Sequence, residues 1–310
     1  MKLVFLGTPA FAVPSLEAIV GVGHKVVAVF TQPDRPKGRG QKMAMSPVKE
    51  SALKLGLDVI QPERVRRPDV VEQLRAIAPE AMVVVGYGQI IPQSILDIPP
   101  LGIINVHASL LPKYRGAAPV QWAIARGETI TGVTTMRIDA GLDTGDMLLK
   151  WETQIGEEET AIELGARLAT AGADLLISTL AELPAINPEP QDHSEATLAP
   201  ILKREDGHVD WTRPSREILN RVRGFQPWPG CYGFRGGQRL HIWKAAGAPE
   251  AVDKMPSLKP GELRVDARRL FVGCGDGSIA LLEVQPEGKK RMPAEAFLNG
   301  NTIEAGEALT

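Results

Sequence analysis

Cysteine is scarce in this chain, since only Cys231 and Cys274 occur among its 310 residues. They are far apart and form no Cys-x-x-Cys pair, which argues against a structural zinc framework, and so low a count is typical of a reducing cytoplasm. The His, Asp and Glu residues show no cluster with the spacing of metal ligands either. We therefore expect a cytoplasmic protein without a bound metal.

Long apolar runs are also missing. No stretch approaches the roughly 20 apolar residues that a membrane-spanning helix needs. The short apolar stretch Met1–Gly7 leads directly into Thr8-Pro9 without a signal-peptide cleavage pattern. We expect no membrane association and predict a buried first strand at this position.

Two glycine patterns that bind phosphates are absent. The first predicted turn, Gly7-Thr8-Pro9-Ala10-Phe11, lacks Gly-x-Gly-x-x-Gly, and its proline fits poorly in a phosphate cradle. The pattern Gly-x-x-x-x-Gly-Lys-Ser/Thr does not occur either. The sequence thus argues against a nicotinamide-dependent oxidoreductase and against P-loop nucleotide binding.

The first part of the chain alternates short apolar stretches with helical patterns. Lys2–Gly7, Lys25–Thr31 and Ala81–Val85 are almost continuously apolar, as parallel strands covered on both faces are. The alternation predicts an α/β domain, a Rossmann-like and mostly parallel sheet with helices on both faces. Ligands of such sheets bind in the crevice at the carboxyl ends of the strands.

The pattern changes after residue 188. A polar segment rich in proline, residues 189–205, predicts a linker between a first domain, 1–188, and a second, 206–310. Short alternating stretches and Gly-rich turns in the second domain predict a small β-barrel or sandwich. Residues 203–310 carry 17 Lys and Arg against 14 Asp and Glu, although the whole chain has a net charge of −2. A basic second domain suits a polyanionic partner, but ordinary solvated surface explains this charge equally well.

Three polar residues are the main candidates for chemistry. Asn105 and His107 are two apart at the end of a predicted strand, so they share one face if the strand extends through both. Asp143 lies in a Gly-rich turn after the next strand. An amide and an imidazole can stabilise an oxyanion, and a carboxylate can orient the imidazole or move protons through water. These groups suit acyl transfer to an amine; the alternative is that they only cap buried turns.

The other histidines are weaker candidates, and we expect each to be structural or solvated. They lie in a turn, in the linker, beside charged residues and within a strand, and they are His24, His193, His208 and His241.

A basic segment follows the second predicted strand. Residues 32–47 contain one acidic residue, Asp34, and four basic ones, Arg35, Lys37, Arg39 and Lys42, among glycines and prolines. Charge alone is also compatible with a plain surface loop. Because the segment leaves the strand beside the expected crevice, we predict that it contacts phosphates.

Several long motifs together resemble those of the 10-formyltetrahydrofolate-dependent formyltransferases, in particular of members that act on methionyl-tRNA. They extend over nearly the whole chain, and the catalytic positions show no departure. The motifs are Asn105-x-His107-x-Ser109-Leu110-Leu111-Pro112, Tyr114–Pro119, Gly7–Pro9, Phe30–Pro36, Asp139–Asp146, Ile201–Lys203, Asp210-Trp211 and Phe225–Gly230.

The resemblance implies transfer of a formyl group from 10-formyltetrahydrofolate to the α-amine of methionine on initiator tRNA, for translation initiation. It implies Asn105, His107 and Asp143 as catalytic residues. It implies folate contacts at Ser109, Leu110, Leu111 and Pro112 and along the backbone of Val85–Gln89. It also implies a tRNA-binding loop with Arg35, Lys37, Arg39 and Lys42, and an OB-like C-terminal barrel that helps to bind tRNA. We expect a monomer.

Two other functions fit parts of the pattern. One is a formyltransferase of the same fold that acts on a small amine, such as an amino sugar or glycinamide ribonucleotide. The other is a folate- or nucleic-acid-binding protein without catalysis. The basic segment and basic second domain favour tRNA over a small amine, and a protein that only binds does not need Asn105, His107 and Asp143 together.

Overall fold

The structure, a computed structural model, describes residues 1–37, 42–248 and 257–310. These residues form two compact units, and each unit is made of three separate segments of the chain. The first unit comprises Met1–Gly116, Thr131–Thr153 and Gly165–Leu198, and the second comprises Ala117–Ile130, Gln154–Leu164 and Ala199–Thr310. The domain boundaries expected at residues 188 and 206 stay a prediction.

The first unit is built on a seven-stranded sheet with the order β5-β2-β1-β6-β7-β8-β9. Its strands are β1 (Lys2–Gly7), β2 (Lys25–Phe30), β5 (Val59–Ile60), β6 (Ala81–Val85), β7 (Ile103–His107), β8 (Ile130–Arg137) and β9 (Met147–Gln154). The five strands from β5 to β7 pair in parallel, and β8 pairs antiparallel with β7. The mostly parallel sheet is as predicted, and every residue of its strands β6 and β7 is buried.

Helices accompany this sheet along the chain. One of them has the usual N-terminal cap: in Pro47–Lys54, Ser46 accepts a hydrogen bond from the Lys49 N–H and proline takes the first helical position. The longest helix packs on β7 and β8 at Gly172, where a Cβ would come within 2.9 Å of Val106. The helices are Val13–Gly21, Pro47–Lys54, Pro68–Ile77, Gln93–Leu96 and Ala161–Glu182.

The second unit contains a six-stranded antiparallel sheet. Its strands are β10 (Cys231–Arg235), β11 (Gln238–Gly247), β12 (Leu263–Asp266), β13 (Arg269–Cys274), β14 (Gly277–Pro286) and β15 (Met292–Pro293). The main path runs β10-β11-β14-β13-β12, and β15 pairs with β14. This sheet confirms the predicted small β domain, while an OB-like topology stays a prediction.

Among the described residues, the second unit also contains three helices, namely Pro119–Ala125, Ser215–Gly224 and Ala294–Leu298. The first two approach closely because Gly224 has no side chain: a Cβ there would lie 3.0 Å from the Ala125 nitrogen. Trp122 packs edge-on against Phe225 beside this contact, with ring centroids 5.3 Å apart. The core of the unit thus includes a helix that comes before the predicted second domain in sequence.

The structure changes two details of the sequence-based expectation. The sequence predicts a short strand over residues 102–105, whereas β7 extends two residues further, through His107. The basic segment is more regular than a plain loop, because short strands β3 (Arg35–Lys37) and β4 (Lys42–Ala44) pair at its flanks. Within the described ranges, no helix combines the length and apolar character needed to cross a membrane.

Candidate active site at the end of a buried strand

Asn105 and His107 lie on the same face of β7, because successive side chains of a strand alternate and the strand continues through both. Asn105 sits beside Val84 of β6, and His107 sits opposite Thr134 of β8. Both polar side chains are buried, with exposed fractions of 9% and 5%. Buried polar groups need hydrogen-bond partners, so their surroundings decide what they can do.

One nitrogen of His107 has a main-chain partner. Nε2 lies 2.9 Å from the carbonyl oxygen of Tyr114. A carbonyl only accepts, so the proton of this bond belongs to Nε2, and the bond fixes the plane of the ring. Nδ1 is then the nitrogen that can exchange a proton, and it lies 3.7 Å from Oδ2 of Asp143.

Asp143 reaches this histidine from a separate loop. Its backbone has a φ of 51°, a left-handed conformation that Asp tolerates better than most residues. Oδ2 accepts a hydrogen bond of 2.8 Å from the Gly116 N–H, and the side chain is 19% exposed. Residues 114–116 therefore contact both His107 and Asp143, and Asn105 lies on the same strand face as His107.

The segment after β7 shows which of the four predicted folate-contact residues have exposed surface. Ser109 is fully buried, and its hydroxyl donates to the Lys113 carbonyl at 2.6 Å. Leu111 is also buried, in a small cluster with two methionines. Leu110 and Pro112 are partly exposed, so these two retain side-chain surface for a ligand.

Thr134 holds the same segment in place. Its hydroxyl donates to the Ser109 carbonyl at 2.8 Å and accepts from the Leu111 N–H at 3.1 Å. The sequence pattern predicted the strand that carries Thr134 but gave no sign of this contact.

Two further residues of the site were missed. The guanidinium of Arg115 donates to Oε1 of Gln191, and the amide nitrogen of Gln191 donates to the carbonyls of Asp143 and Gly145. Residue 191 lies in the polar, proline-rich segment predicted to be a linker, where nothing in the sequence pattern distinguishes it.

Apolar surface remains exposed on two loops at this edge of the sheet. Ile90, after β6, is 88% exposed, and Leu142, next to Asp143, is 64% exposed. Between β6 and Ile90, the carbonyl of Tyr87 accepts hydrogen bonds from Thr8 and Gln32, at 3.0 and 3.1 Å. The loop that carries Tyr87 and Ile90 is therefore anchored, while Ile90 itself is exposed. An exposed apolar side chain of this kind can pack against one face of a flat ring in a ligand.

The basic segment is anchored at its base. Lys49 donates to Asp34 at 2.6 Å and Gln61 donates to the same carboxylate at 2.8 Å, which together lower the pKa of Asp34. Arg35 forms an exposed ion pair of 3.2 Å with Glu63.

Of the other three predicted tRNA-contact residues, two lie in described strands. The backbones of Lys37 and Lys42 pair with each other as the last and first residues of β3 and β4. Arg39 lies outside the described residues.

Comparisons with known proteins identify the family of the chain. Residues 1–180 match the formyl transferase family, and residues 201–302 match the formyl transferase C-terminal domain. The methionyl-tRNA formyltransferase of Solibacter usitatus is 63% identical over 311 residues, covering 100% of this chain and 98% of its own. That of Koribacter versatilis is 60% identical over 315 residues, again covering 100% of this chain and 98% of its own.

A solved structure shares the fold at lower identity. It is an N-formyltransferase from Helicobacter canadensis in complex with folinic acid and dTDP-3-aminofucose, 20% identical, with a TM-score of 0.67 over 92% of this chain and 99% of that one. The two relatives are 63% and 60% identical over the full length of this chain, which shows the family as well as the fold. The chain belongs to the formyl transferase family, and within it to the methionyl-tRNA formyltransferases.

Proposed function

We propose that Asn105, His107 and Asp143 are the catalytic residues of this formyltransferase. The chain transfers a formyl group from 10-formyltetrahydrofolate to the α-amine of methionine on initiator tRNA, which prepares that tRNA for translation initiation. The observation that supports the assignment best is the 3.7 Å approach of Asp143 Oδ2 to His107 Nδ1, beside Asn105 on the same strand face.

Asn105 acts on the formyl oxygen. The amine nitrogen forms a bond to the formyl carbon, and the C–N bond to the folate then breaks, so negative charge builds on the oxygen between the two events. The side-chain N–H groups of Asn105 donate to that oxygen. A buried, preorganised donor stabilises such charge more than water does, and losing one typically costs about 10²–10³ in rate.

His107 and Asp143 handle the proton. The attacking amine must lose a proton as it becomes an amide, and the departing folate nitrogen must gain one. With Nε2 bonded to Tyr114, the open nitrogen of His107 is Nδ1, on the side of Asp143. The carboxylate receives the amine proton directly or through water. The proton then passes by way of Nδ1 of His107 to the folate nitrogen as its C–N bond breaks, so that both residues return to their starting states.

The folate fits the exposed apolar surface of this edge. Its role is to supply the formyl carbon, and we assign its contacts to Leu110, Pro112 and the backbone of Val85–Gln89, with Ile90 against the ring. Ser109 and Leu111 act indirectly, because their buried side chains fix the shape of the loop.

The tRNA contacts the basic hairpin, which is the basic segment of residues 32–47 with its paired strands β3 and β4, and it contacts the C-terminal unit. Arg35, Lys37, Arg39 and Lys42 supply positive charge for phosphates, and residues 203–310 add an excess of basic residues. We further propose that the protein is a cytoplasmic monomer, which light scattering after gel filtration and cell fractionation test.

One reaction tests the proposal. The protein is incubated with 10-formyltetrahydrofolate and methionine-charged initiator tRNA, and formylmethionine is measured after the ester is hydrolysed. A sugar nucleotide with a free amine, the acceptor class named for the Helicobacter canadensis structure, serves as the competing substrate. We expect formylmethionine and no formyl sugar. Near-normal turnover by His107→Ala would refute the catalytic assignment.

A further inference from the structure

The side-chain amide of Gln191 joins two loops of the site. Its oxygen accepts two hydrogen bonds from Arg115, from Nε at 3.0 Å and from Nη2 at 2.6 Å. Its nitrogen donates to two main-chain carbonyls, those of Asp143 at 2.9 Å and Gly145 at 2.7 Å. Gln191 is only 6% exposed, so all four bonds are shielded from water.

The Arg115 end of this bridge belongs to the loop that holds His107. Tyr114 accepts the Nε2 bond of His107, and Gly116 donates to Oδ2 of Asp143. Arg115, between them, is 7% exposed. In the part of the chain that the structure describes, its guanidinium bonds to neutral groups, Gln191 Oε1 and Nδ1 of His193 at 3.1 Å.

The other end of the bridge belongs to the loop that holds the catalytic carboxylate. Asp143 has a left-handed backbone, with a φ of 51°, which local preference alone does not fix. The amide of Gln191 donates hydrogen bonds directly to this loop, at the carbonyls of Asp143 and Gly145. The angle at which the Asp143 side chain leaves the backbone therefore depends on Gln191.

We propose that Gln191 is a positioning residue for formyl transfer, which sets the placement of the Asp143 carboxylate against His107. The inference rests on the proposed function, because it requires Asp143 to be catalytic. Gln191 contacts no reacting atom. It acts on the rate because a misplacement of about 1 Å in a catalytic group can cost 10²-fold in rate.

Replacement by glutamate separates this role from a structural one. Gln191→Glu keeps an acceptor for Arg115 and forms an ion pair with it, so the buried arginine stays satisfied. It removes both N–H donors and sets a carboxylate oxygen against the carbonyls of Asp143 and Gly145. We expect kcat to fall roughly 100-fold at unchanged KM for both substrates, with a loss in melting temperature no larger than the loss of two buried hydrogen bonds produces. If Gln191 serves only to satisfy Arg115, this variant keeps wild-type kcat, and the proposal is wrong.

A second variant covers the case in which Gln191→Glu does not fold. Arg115→Leu combined with Gln191→Leu removes the buried charge together with its partner, which is much less costly than removing one of the two. It still lacks the donors to the Asp143 loop, so the same loss of kcat per folded molecule is expected. Normal kcat in this variant overturns the proposal.

A double-mutant cycle tests whether Gln191 works through Asp143. In an Asp143→Asn background, Gln191→Glu should lower kcat by less than about threefold, because the group that it positions is already disabled. Independent, multiplicative losses overturn the proposal. If Asp143→Asn alone leaves kcat intact, the proposed function fails instead, so the two failures are distinguishable.

The cost of losing two buried amide donors can be measured elsewhere in the chain. Gln226, 7% exposed, donates to the carbonyls of Val222 and Trp243 in the second unit, as Gln191 donates to two carbonyls in the first. Gln226→Leu removes these donors without burying a charge, and it therefore gives the change in melting temperature that this loss produces on its own. A drop in Gln191→Glu much larger than that reference, with kcat per folded molecule unchanged, would indicate a structural role and overturn the proposal.

Discussion

Nδ1 of His107 lies 3.7 Å from Oδ2 of Asp143. This is longer than a hydrogen bond, whereas the same oxygen accepts a true hydrogen bond of 2.8 Å from the Gly116 N–H. Since Nε2 of His107 is bonded to Tyr114, the backbone of residues 114–116 determines how far apart the imidazole and the carboxylate stand. The gap leaves Nδ1 and Oδ2 able to take part in proton transfer to or from a third group.

Asp143→Asn tests the charge at this position. The amide oxygen of asparagine can still accept the Gly116 N–H, so the loop keeps its main contact while the negative charge is lost. We expect kcat to fall by about 10²–10⁴, the range typical of a lost general acid or base. Steady-state kinetics with both substrates measures this. The control Asp97→Asn changes an exposed carboxylate that accepts from Gln93, and a loss there as large as in Asp143→Asn would contradict the assignment.

His107→Gln separates the two nitrogens of the imidazole. The glutamine nitrogen can reach the Tyr114 carbonyl as Nε2 does, but nothing replaces Nδ1. We expect a folded protein with a melting temperature near that of the wild type and with kcat lowered by at least about 10². Circular dichroism and single-turnover kinetics provide the two readouts, and a variant that is folded and fully active would show that Nδ1 is not needed.

Thr134→Val tests how the segment after β7 is held. Valine has the shape of threonine without the hydroxyl, so the Ser109 carbonyl and the Leu111 N–H lose their shared partner. The free energy of unfolding should fall by about 1–3 kcal/mol, as for other buried polar groups left unpaired. Because Leu110 and Pro112 belong to this segment, KM for 10-formyltetrahydrofolate should rise.

Thr135→Val is the matched control. This neighbouring hydroxyl bonds instead to Thr179 at 2.8 Å, away from the segment. We expect a similar loss in denaturant stability with an unchanged KM for the folate. A rise in KM in the control as large as that in Thr134→Val would mean that general loosening of β8, not the segment, is responsible.

Much of the fold could be predicted from the pattern of apolar residues along the sequence. The strands Lys2–Gly7 and Ala81–Val85 have the predicted bounds, because a continuous apolar run is local information. The same kind of information placed Asn105 and His107 on one strand face. The end of β7 could not be predicted so well, since its last residues are polar and are buried by neighbours distant in sequence.

What the sequence could not show was how the loops are held together. Thr134, Arg115 and Gln191 act through contacts to residues 23 to 76 positions away along the chain, and such contacts leave no periodic signal. The burial of the Ser109 and Leu111 side chains could not be predicted, for the same reason. The family resemblance implies ligand contacts at both positions, which stay a prediction, while tertiary packing buries their side chains.

The two thiols should report on unfolding of the second unit. Burial raises the pKa of both Cys231 and Cys274 to about 12. The reactive thiolate is therefore almost absent at pH 8, and the side chains are shielded as well. We expect no reaction with a disulfide reagent in the native protein and two reactive thiols per chain in urea. Reaction of either thiol in the native state at the rate of free cysteine would contradict this burial.

Asp34→Asn tests the anchor of the basic hairpin. Hydrogen bonds from Lys49 and then Gln61 lower the pKa of Asp34 below its ordinary value of 3.8. A carboxyl with a lowered pKa stabilises the folded form above its unfolded pKa and loses that effect as the pH falls through the folded one, so the anchor is complete at neutral pH. Removing the charge should raise KM for the tRNA about tenfold, near the value of one charge-assisted hydrogen bond, and leave KM for the folate unchanged.

The control Glu63→Gln breaks only the exposed pair with Arg35 and should change either KM less than about twofold. Equal effects of the two variants on tRNA use would show that net charge, rather than the anchor, governs the hairpin.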